Sequence, residues 1–327
     1  MPVYQSVHVD RPLTNFSVQY AAELPFLSDK VFGFCPVKKQ SDTFFIYDQG
    51  DWNRNSAQVR APGSAPNFGD YDVTQGGAYF CKELEQATLV TDEDMANEDE
   101  PLNSEEDGTR WCTRKIMIGQ EVVFAGSVIT SGVWTGITDK VGGTGFVKWS
   151  SPVATPAADV QGWSDEINLA TNGYRPNTMI IGSDVKTALQ NCSDVQDRIK
   201  YVTGSLPTAI NETLLAQYFS MGRVLVGDMP ITTSAKGAST LTNTQLYAGK
   251  VWIGYVPPGG ATRPREVSAG KMFTWTGGFP GGGAGMRGIA VRRWREEARR
   301  GIAIQASCYR DWKVTAANAG GYASSAI

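Results

Sequence analysis

Residues 38–54 read KKQSDTFFIYDQGDWNR and place four large apolar side chains, Phe44, Phe45, Ile46 and Tyr47, in one row before a charged, turn-rich stretch. This row predicts a strand that leaves the body of the protein. A polar tip, APGSAPNFGDYDV, and a second strand-like run, GGAYFCKEL, follow it. An isolated two-stranded hairpin is marginally stable at best in water. We therefore expect something outside residues 37–80 to order this excursion.

Length, charge and hydropathy exclude several classes of protein. With 327 residues, 41% of them hydrophobic, the chain can bury a large core, as two domains or as one domain with an insertion. A formal net charge of −3 gives no overall attraction to nucleic acid or anionic lipid. The N-terminus does not resemble a signal peptide, and the near-apolar run at 122–134 is too short to span a bilayer. We expect a soluble protein that is not exported and has no membrane partner.

Sequence motifs that would indicate a catalytic, metal-binding or nucleotide-binding site are weak throughout the chain. The five cysteines are odd in number and contain no C-x-x-C pair, so neither a disulfide framework nor a zinc site is predicted. The single histidine, His8, lies in an irregular N-terminal stretch, which disfavours a nucleophilic triad. The G-x-G-x-x-G string at 283–288 lacks the preceding strand and following helix of a nucleotide site. We expect no catalytic residues, no cofactor and no metal.

One long helix is the most readable element. Apolar residues recur at helical spacing from about 104 to 130 and predict a buried face of Trp111, Ile118, Val122, Ala125 and Ile129. Ser104 with Asp107 resembles a capping box. The acidic run at 92–107 departs from a calcium loop, and we interpret it as a solvated loop that brings negative charge to the helix N-terminus.

The remaining chain predicts an α+β fold. Between 158 and 228 helical stretches alternate with short apolar strands, with Ser183 and Asn211 as expected helix caps. Strands dominate the last third, where Ile302, Ile304, Ala306 and Cys308 share a face. The arginine cluster at 287–300 contains Glu296 and Glu297, which favours a surface ion-pair network over a phosphate site.

The order of these parts resembles the layout of tailed-bacteriophage major capsid proteins. The strings NGYRPNTMIIG (172–182), VQDRIKY (195–201), LLAQYFSMGRVLVGD (214–228) and RGIAIQASCYRDWKVTAANAGGY (300–322) carry the resemblance, which covers essentially the whole chain. It implies the phage major capsid fold, divided as follows: an N-terminal arm at 1–36, an extended β-hairpin or E-loop at 37–80, a peripheral domain at 81–150 with the spine helix at about 104–130, an axial domain at 151–285, and the C-terminal part of the peripheral domain at 286–327.

The resemblance also implies a function and partners. The chain would assemble with itself as hexamers and pentamers into the icosahedral head of a tailed phage, a virion protein assembled in the bacterial cytoplasm. A separate scaffolding protein is expected because the sequence opens directly on the arm. Other expected partners are a portal protein at one vertex, a decoration protein on some such shells, and double-stranded DNA contacted non-specifically. The alternatives are an encapsulin-like compartment shell, which shares the fold, and a hydrolase or binding protein with an atypical site.

By this resemblance the hairpin carries the inter-subunit contacts. Phe44, Phe45, Ile46, Tyr47 and Trp52 are expected to pack on the peripheral domain of the neighbouring subunit, and Arg54 and Arg60 to pair with carboxylates there. Some family members join subunits covalently through a lysine of the E-loop. No lysine occurs between Gln40 and Cys81, so we expect no covalent crosslink from the tip of this hairpin.

Overall fold

A computed structural model describes residues 26–47, 50, 53–99, 102–203, 210–278 and 288–327. The side chains of Tyr47 and of residues 201–203 lie outside that description. Helices in the described ranges are α1 (Asp92–Ala96), α2 (Ser104–Ser127), α3 (Pro156–Ala170), α4 (Ser183–Asn191), α5 (Ser193–Thr203) and α6 (Glu212–Tyr218).

The first sheet has β13 (Gly301–Val314) at its centre. β4 (Lys82–Thr91) pairs antiparallel along one edge of β13. β12 (Ile289–Glu296) and β11 (Gly270–Trp275) pair antiparallel with it one after the other along the opposite edge, and β1 (Phe34–Val37) adds a parallel strand to β11. One long strand thus joins segments from the beginning, the middle and the end of the chain.

The second sheet has the order β5 (Lys140–Val141), β14 (Gly320–Ser324), β10 (Val251–Gly254), β6 (Thr178–Gly182) and β7 (Arg223–Gly227). β6 and β7 are parallel, and β10 is antiparallel to both of its neighbours. Two hairpins stand apart from these sheets, β2 (Ser41–Tyr47) with β3 (Val73–Phe80), and β8 (Pro230–Thr232) with β9 (Asn243–Gln245). The strand, tip and strand predicted for the excursion are confirmed.

Helix α2 lies on the first sheet, but its buried face differs from the predicted one. Trp111 and Val122 are exposed and Ile118 is half-buried, whereas Ala125 and Ile129 are buried as expected. The face that meets the sheet includes polar side chains, and its members are Thr109, Cys112, Thr113, Ile116, Met117, Gln120, Glu121, Phe124 and Ala125. Spacing of large apolar residues predicted the wrong stripe because hydrogen bonds let Thr109, Thr113, Gln120 and Glu121 enter the core.

Two of the three predicted helix caps were wrong. Asn103, and not a Ser104–Asp107 box, caps α2 by accepting a hydrogen bond from the backbone N–H of Glu106 at 3.1 Å. Gly182 precedes α4, so Ser183 is already helical, because β6 runs directly into the helix. Asn211 caps α6, accepting from the N–H of Leu214 at 2.9 Å, as predicted.

The segment 26–33 belongs to the core, although the sequence placed it in an extended arm. Leu27 and Ser28 donate their backbone N–H groups to the buried carboxylate of Glu121, which also accepts from the hydroxyl of Tyr247 at 2.6 Å. Asp29 forms a buried ion pair with Arg310 of β13. Side chains from α2, from β13 and from the loop before β10 thus hold this segment in place.

Close backbone contact extends this anchoring to the loop before β11. The phenyl ring of Phe32 meets Phe124 and Trp252 edge-on. The backbone carbonyl of Phe32 accepts a hydrogen bond from the N–H of Ala261. Gly33 and Gly260, which both have positive φ, approach each other there so closely that a side chain on either would have no room. Segment 26–33 therefore joins the elements around both sheets.

Surface ion pairs are present where the arginine cluster predicted them. Arg295 forms two 2.6 Å hydrogen bonds to Asp92, and this contact lowers the pKa of the Asp92 carboxyl. Arg293 pairs with Glu105 in the first turn of α2 at 2.6 Å. Arg287, most of the glycine-rich string and His8 lie outside the described residues. The acidic first turn of α2, Glu105 to Asp107, is confirmed, but the expected loop before it was wrong at Asp92–Ala96, which forms α1 with Thr91 as its N-cap.

None of the helices in the described ranges has the length and apolarity that a bilayer crossing requires.

Candidate inter-subunit surface

The β2–β3 hairpin projects from the edge of the first sheet. Its register pairs Ser41 with Phe80 at the base and Tyr47 with Val73 at the far end, and it shifts between Thr43 and Phe45, where Phe44 of β2 lies opposite two residues of β3, Gly76 and Gly77. The extra residue of this bulge is therefore in β3, and a bulge changes the direction of the side chains around it. The row of four apolar residues is therefore split, and Phe44 differs from its neighbours.

Phe44 turns back toward its own chain. Its ring lies 6.2 Å from that of Phe273 in a stacked arrangement, and Gly76 and Gly77 on the opposing strand make room for it, since a Cβ at Gly76 would meet the ring at 2.7 Å. Tyr79 stacks on the same Phe273 at 4.4 Å. A small core of Cys35, Val37, Tyr79, Cys81 and Phe273 holds the hairpin base.

Hydrogen bonds complete the base of the hairpin. The backbone N–H of Phe80 donates to the Asp311 carboxylate at 2.9 Å, and Cys81 and Gln40 bond each other across the strands. The indole of Trp275 donates to the carbonyl of Lys38 at 3.0 Å. The base is thus firmly attached to β11 and β13, and the rest of the hairpin extends from it.

Beyond the base the hairpin exposes apolar surface. Phe45 is 62% exposed and Ile46 41% exposed. The returning side adds further exposed residues, which are Val59, Phe68, Tyr71, Val73 and Phe80. Isolated exposed apolar residues are ordinary, but seven of them on one hairpin make it a candidate contact surface.

The tip carries the two predicted arginines. Arg54 and Arg60 are both exposed within 53–72, a stretch with turns but no helix or strand. The tip is close to the second half of its own chain, because the amide of Asn53 donates to the carbonyl of Asn172 at 2.7 Å. Trp52 lies outside the described residues, and of Tyr47 only the backbone, in β2, is described.

A groove of about 610 Å³ runs beside the hairpin base. One wall is the strand with Phe44, Phe45 and Ile46, and the other is the loop at 264–268 before β11. Lys38, Lys39, Arg265 and Lys271 contribute basic groups, against Asp42 and Glu266. No local sequence pattern indicates this groove, because its walls are about 220 residues apart in the chain.

The pKa values of several groups at the hairpin base are shifted by their surroundings. A hydrogen bond from Lys39 at 3.1 Å, supported by the backbone N–H of Thr43, lowers the pKa of Asp42. Burial lowers the pKa of Lys271, whose ammonium donates to the carbonyl of Pro264, and raises the pKa of the Cys81 thiol to about 12. Burial explains both shifts without any reactive role for these groups.

A metal-binding cluster is not present in the described parts of the chain, where no three His, Cys, Asp or Glu side chains converge. The five cysteines are all buried and unpaired. The most distinctive surface of the described structure is accordingly the projecting hairpin.

Comparison with known structures identifies the fold. No protein-family profile and no curated protein matches the sequence significantly. A phage-related protein from Bordetella bronchiseptica superposes with a TM-score of 0.74, 16% identity, and coverage of 98% of this chain and 99% of that one. The capsid protein of cyanophage P-SCSP1u gives a TM-score of 0.53 at 11% identity, covering 91% of this chain and 88% of that one. The fold is that of phage capsid proteins.

Encapsulins share this capsid fold. The encapsulin of Synechococcus elongatus matches with a TM-score of 0.50 at 14% identity, over 99% of this chain and 92% of that one. The predicted α+β class and the phage major capsid fold are therefore confirmed. The cyanophage and encapsulin neighbours are shell proteins and not enzymes. Sequence reasoning found the hairpin but missed the inward turn of Phe44, for which the paired glycines opposite it were the available signal.

Proposed function

We propose that this chain is the major capsid protein of a tailed double-stranded DNA bacteriophage. The observation that carries the proposal is a long hairpin with exposed Phe45 and Ile46 and a core only at its base, on a chain with the capsid fold. In the proposed assembly the hairpin of each subunit packs on the next subunit. Phe45, Ile46, Tyr47 and Trp52 supply the apolar contact, Phe44 holds the base, and Arg54 and Arg60 pair with carboxylates.

Shell geometry accounts for the absence of a dominant site. Closed rings require heterologous contacts, in which one face of a subunit meets a different face of the next, and hexamers and pentamers then close into an icosahedral head. Many weak contacts that close simultaneously give strong overall binding without a single strong site. An exposed hairpin on one side of the subunit is suited to such a contact.

The proposal extends to domains and partners. The hairpin at 37–80 is the E-loop, 81–150 and 286–327 form the peripheral domain, and 151–285 form the axial domain. Two strands pair with the sheet of the other domain: β11, within 151–285, lies in the first sheet, and β14, within 286–327, lies in the second. A scaffolding protein, a portal protein, a decoration protein and non-specifically contacted DNA complete the virion, which assembles in the bacterial cytoplasm. The chain has no enzymatic role in this proposal.

An encapsulin-like compartment shell is the second candidate. The similarity to the Synechococcus encapsulin extends over 99% of the chain, so that fold offers an equally complete template. The two functions differ in what the shell encloses, which is a genome in one case and cargo enzymes in the other.

Imaging of the assembled protein tests the proposal. We expect expression of the full chain, together with a scaffolding protein, to give uniform icosahedral particles in electron micrographs. A capsid then contains DNA when isolated from infected or induced cells, whereas a compartment contains protein cargo. A stable monodisperse monomer that does not assemble under any of these conditions would contradict both candidates.

A further inference from the structure

The groove beside the hairpin base combines an apolar lining with a buried ammonium group. Its volume of about 610 Å³ falls in the range of small-molecule sites, roughly 300–1,000 Å³. Phe44 and Tyr79, which both stack on Phe273, line it together with that ring, and Val267 lies on the opposite wall. Lys271, only 4% exposed, also lines it. Sites for small molecules have this composition, mainly apolar with a few polar groups that fix orientation.

The ammonium group of Lys271 is incompletely paired. It carries three N–H donors, and its one acceptor among the described residues is the carbonyl of Pro264. Glu266 and Cys35 lie near enough to raise the pKa of Lys271, but burial has the larger effect and lowers it. A buried ammonium whose donors lack acceptors is unfavourable. An anionic group placed in the groove would supply the missing acceptors.

The two acidic side chains of the groove are engaged by other donors. Asp42 accepts a hydrogen bond from Lys39 at 3.1 Å, and Glu266 accepts one from the backbone N–H three residues before it at 3.2 Å. Lys38 and Arg265 are exposed along the groove and form no ion pair within the described ranges. The groove therefore keeps an excess of positive charge, which complements an anion.

We propose that this groove binds a small amphipathic anion, specifically a medium-chain carboxylate. The carboxylate accepts hydrogen bonds from Lys271, while Lys38 and Arg265 add attraction at longer range. The apolar chain lies between the ring of Phe44 on one wall and Val267 on the other. Because one wall belongs to the hairpin and the other to the loop before β11, a bound molecule would also link the hairpin to the body of the subunit.

Other occupants fit the groove less well. A neutral apolar molecule would exclude water from Lys271 without giving its ammonium an acceptor, which is unfavourable. An acidic peptide could place a carboxylate there, but it would also bring a backbone N–H and C=O for each residue, and each of these needs a partner in a lining that is mainly apolar. A carboxylate with an alkyl chain has a single polar group. The observations therefore favour a small molecule.

Isothermal titration of the full-length, unassembled subunit with decanoate tests the proposal. We expect one decanoate to bind per subunit. Affinity should rise about four-fold for each methylene added from hexanoate to decanoate, because each methylene leaves water on binding. Decanol has the same chain without the charge and should bind about ten-fold or more weakly, because it cannot form a charge-assisted hydrogen bond.

Two variants locate the bound molecule. Lys271→Met keeps an unbranched apolar side chain and removes the ammonium, so decanoate affinity should fall by about ten-fold or more while decanol affinity stays within about two-fold. Val267→Trp fills the groove from an exposed loop position and should weaken both probes by about ten-fold or more. Lys82→Met, an exposed lysine of β4 outside the groove lining, is the matched control and should leave both affinities unchanged. Circular dichroism melts verify that each variant folds.

Several results would overturn the inference. These are no saturable decanoate binding, equal binding to wild type and Lys271→Met, or equal affinities of wild type for decanoate and decanol. A peptide of alternating Glu and Leu that binds wild type but not Val267→Trp, and that decanoate does not displace, would make the occupant a protein segment instead. Binding is measured on the unassembled subunit, so the inference does not depend on the proposed function, and a failure of wild type to form particles would contradict that function alone.

Discussion

Phe44 and Phe45 are adjacent in sequence and opposite in role. Phe44 stacks on Phe273 of its own chain, while Phe45 is largely exposed. We expect Phe44→Ser to lower the free energy of unfolding by about 2 kcal/mol, less than for a fully buried aromatic because Phe44 is only half-buried. Phe45→Ser should change it by less than about 0.5 kcal/mol.

The two variants should differ in the opposite way in assembly, where Phe45→Ser has the larger effect. Urea unfolding of the unassembled subunit measures the change in stability, and sedimentation measures the particle yield. Phe45→Ser should reduce the particle yield although the subunit keeps its stability. Equal particle yields for wild type and Phe45→Ser would remove Phe45 from the inter-subunit contact.

Glu121 is a buried carboxylate whose partners explain its place in α2. It accepts hydrogen bonds from the N–H groups of Leu27 and Ser28 and from the hydroxyl of Tyr247. Glu121→Gln would set an amide N–H₂ group against one of these donors, and we expect a loss of about 2 kcal/mol in the free energy of unfolding. The exposed Glu93→Gln serves as control in the same urea titration. A loss for Glu121→Gln no larger than that of the control would show that the Glu121 carboxylate is not needed to hold segment 26–33.

Burial of the cysteines predicts an alkaline loss of stability. Desolvation raises the pKa of Cys35, Cys112 and Cys308 to about 11 and that of Cys81 to about 12. The folded state therefore keeps thiol protons that the unfolded chain releases near pH 9, so the stabilisation is complete below pH 9 and declines as the pH rises toward 11 or 12. Urea midpoints at pH 8 and pH 10.5 check this, and identical midpoints would contradict it.

At the scale of elements, apolar patterns predicted several of the strands and the existence of α2, whereas β1 was assigned to an extended arm and β5, β8 and β9 were not predicted. β6, β12 and β13 are short or alternating apolar runs, which can be recognised as strands from the local sequence. The buried face of α2 could not be predicted, because Gln120 and Glu121 enter the core through partners far away in the sequence, namely Cys308, Leu27 and Tyr247. The Gly76–Gly77 pair is a local signal for the bulge in β3, but the inward turn of Phe44 also depends on its contact with Phe273, which a local pattern does not contain.

The hairpin tip predicts a distinctive proteolysis pattern. Residues 53–72 lie outside any strand or helix and are exposed, and Arg54 and Arg60 are the trypsin sites between Lys39 and Lys82. Brief trypsin digestion of the unassembled subunit should therefore cut first at Arg54 and Arg60. Mass spectrometry of the fragments identifies the sites.

Assembled particles should resist those two cuts because a neighbouring subunit covers the tip. Cleavage within β13 gives the internal comparison, since that strand is buried at the centre of its sheet in either state. Equal rates of tip cleavage in particles and in free subunits would place the tip away from the subunit contact.

At the scale of the whole molecule, the chain has two well-packed bodies of core and one poorly supported projection. One cluster of buried residues lies between α2 and the first sheet and extends to Ile180, Trp252 and Tyr322 of the second sheet, and the other lies between the second sheet and helices α3 to α6. In the described part of the hairpin, the only such cluster is the small one at its base. The central claim of the proposed function is that a second copy of the chain completes the stability of this hairpin.

Hydrogen exchange of the backbone amides tests that claim most directly, with assembled particles and dissociated subunits compared under the same conditions. We expect the amides of β2 and β3 to exchange at least about a hundred-fold more slowly in the particle, while those of β13 change little. If the β2 and β3 amides of a dissociated subunit were already as protected as those of β13, the chain would stabilise its own hairpin, and no second copy would be needed to complete its stability.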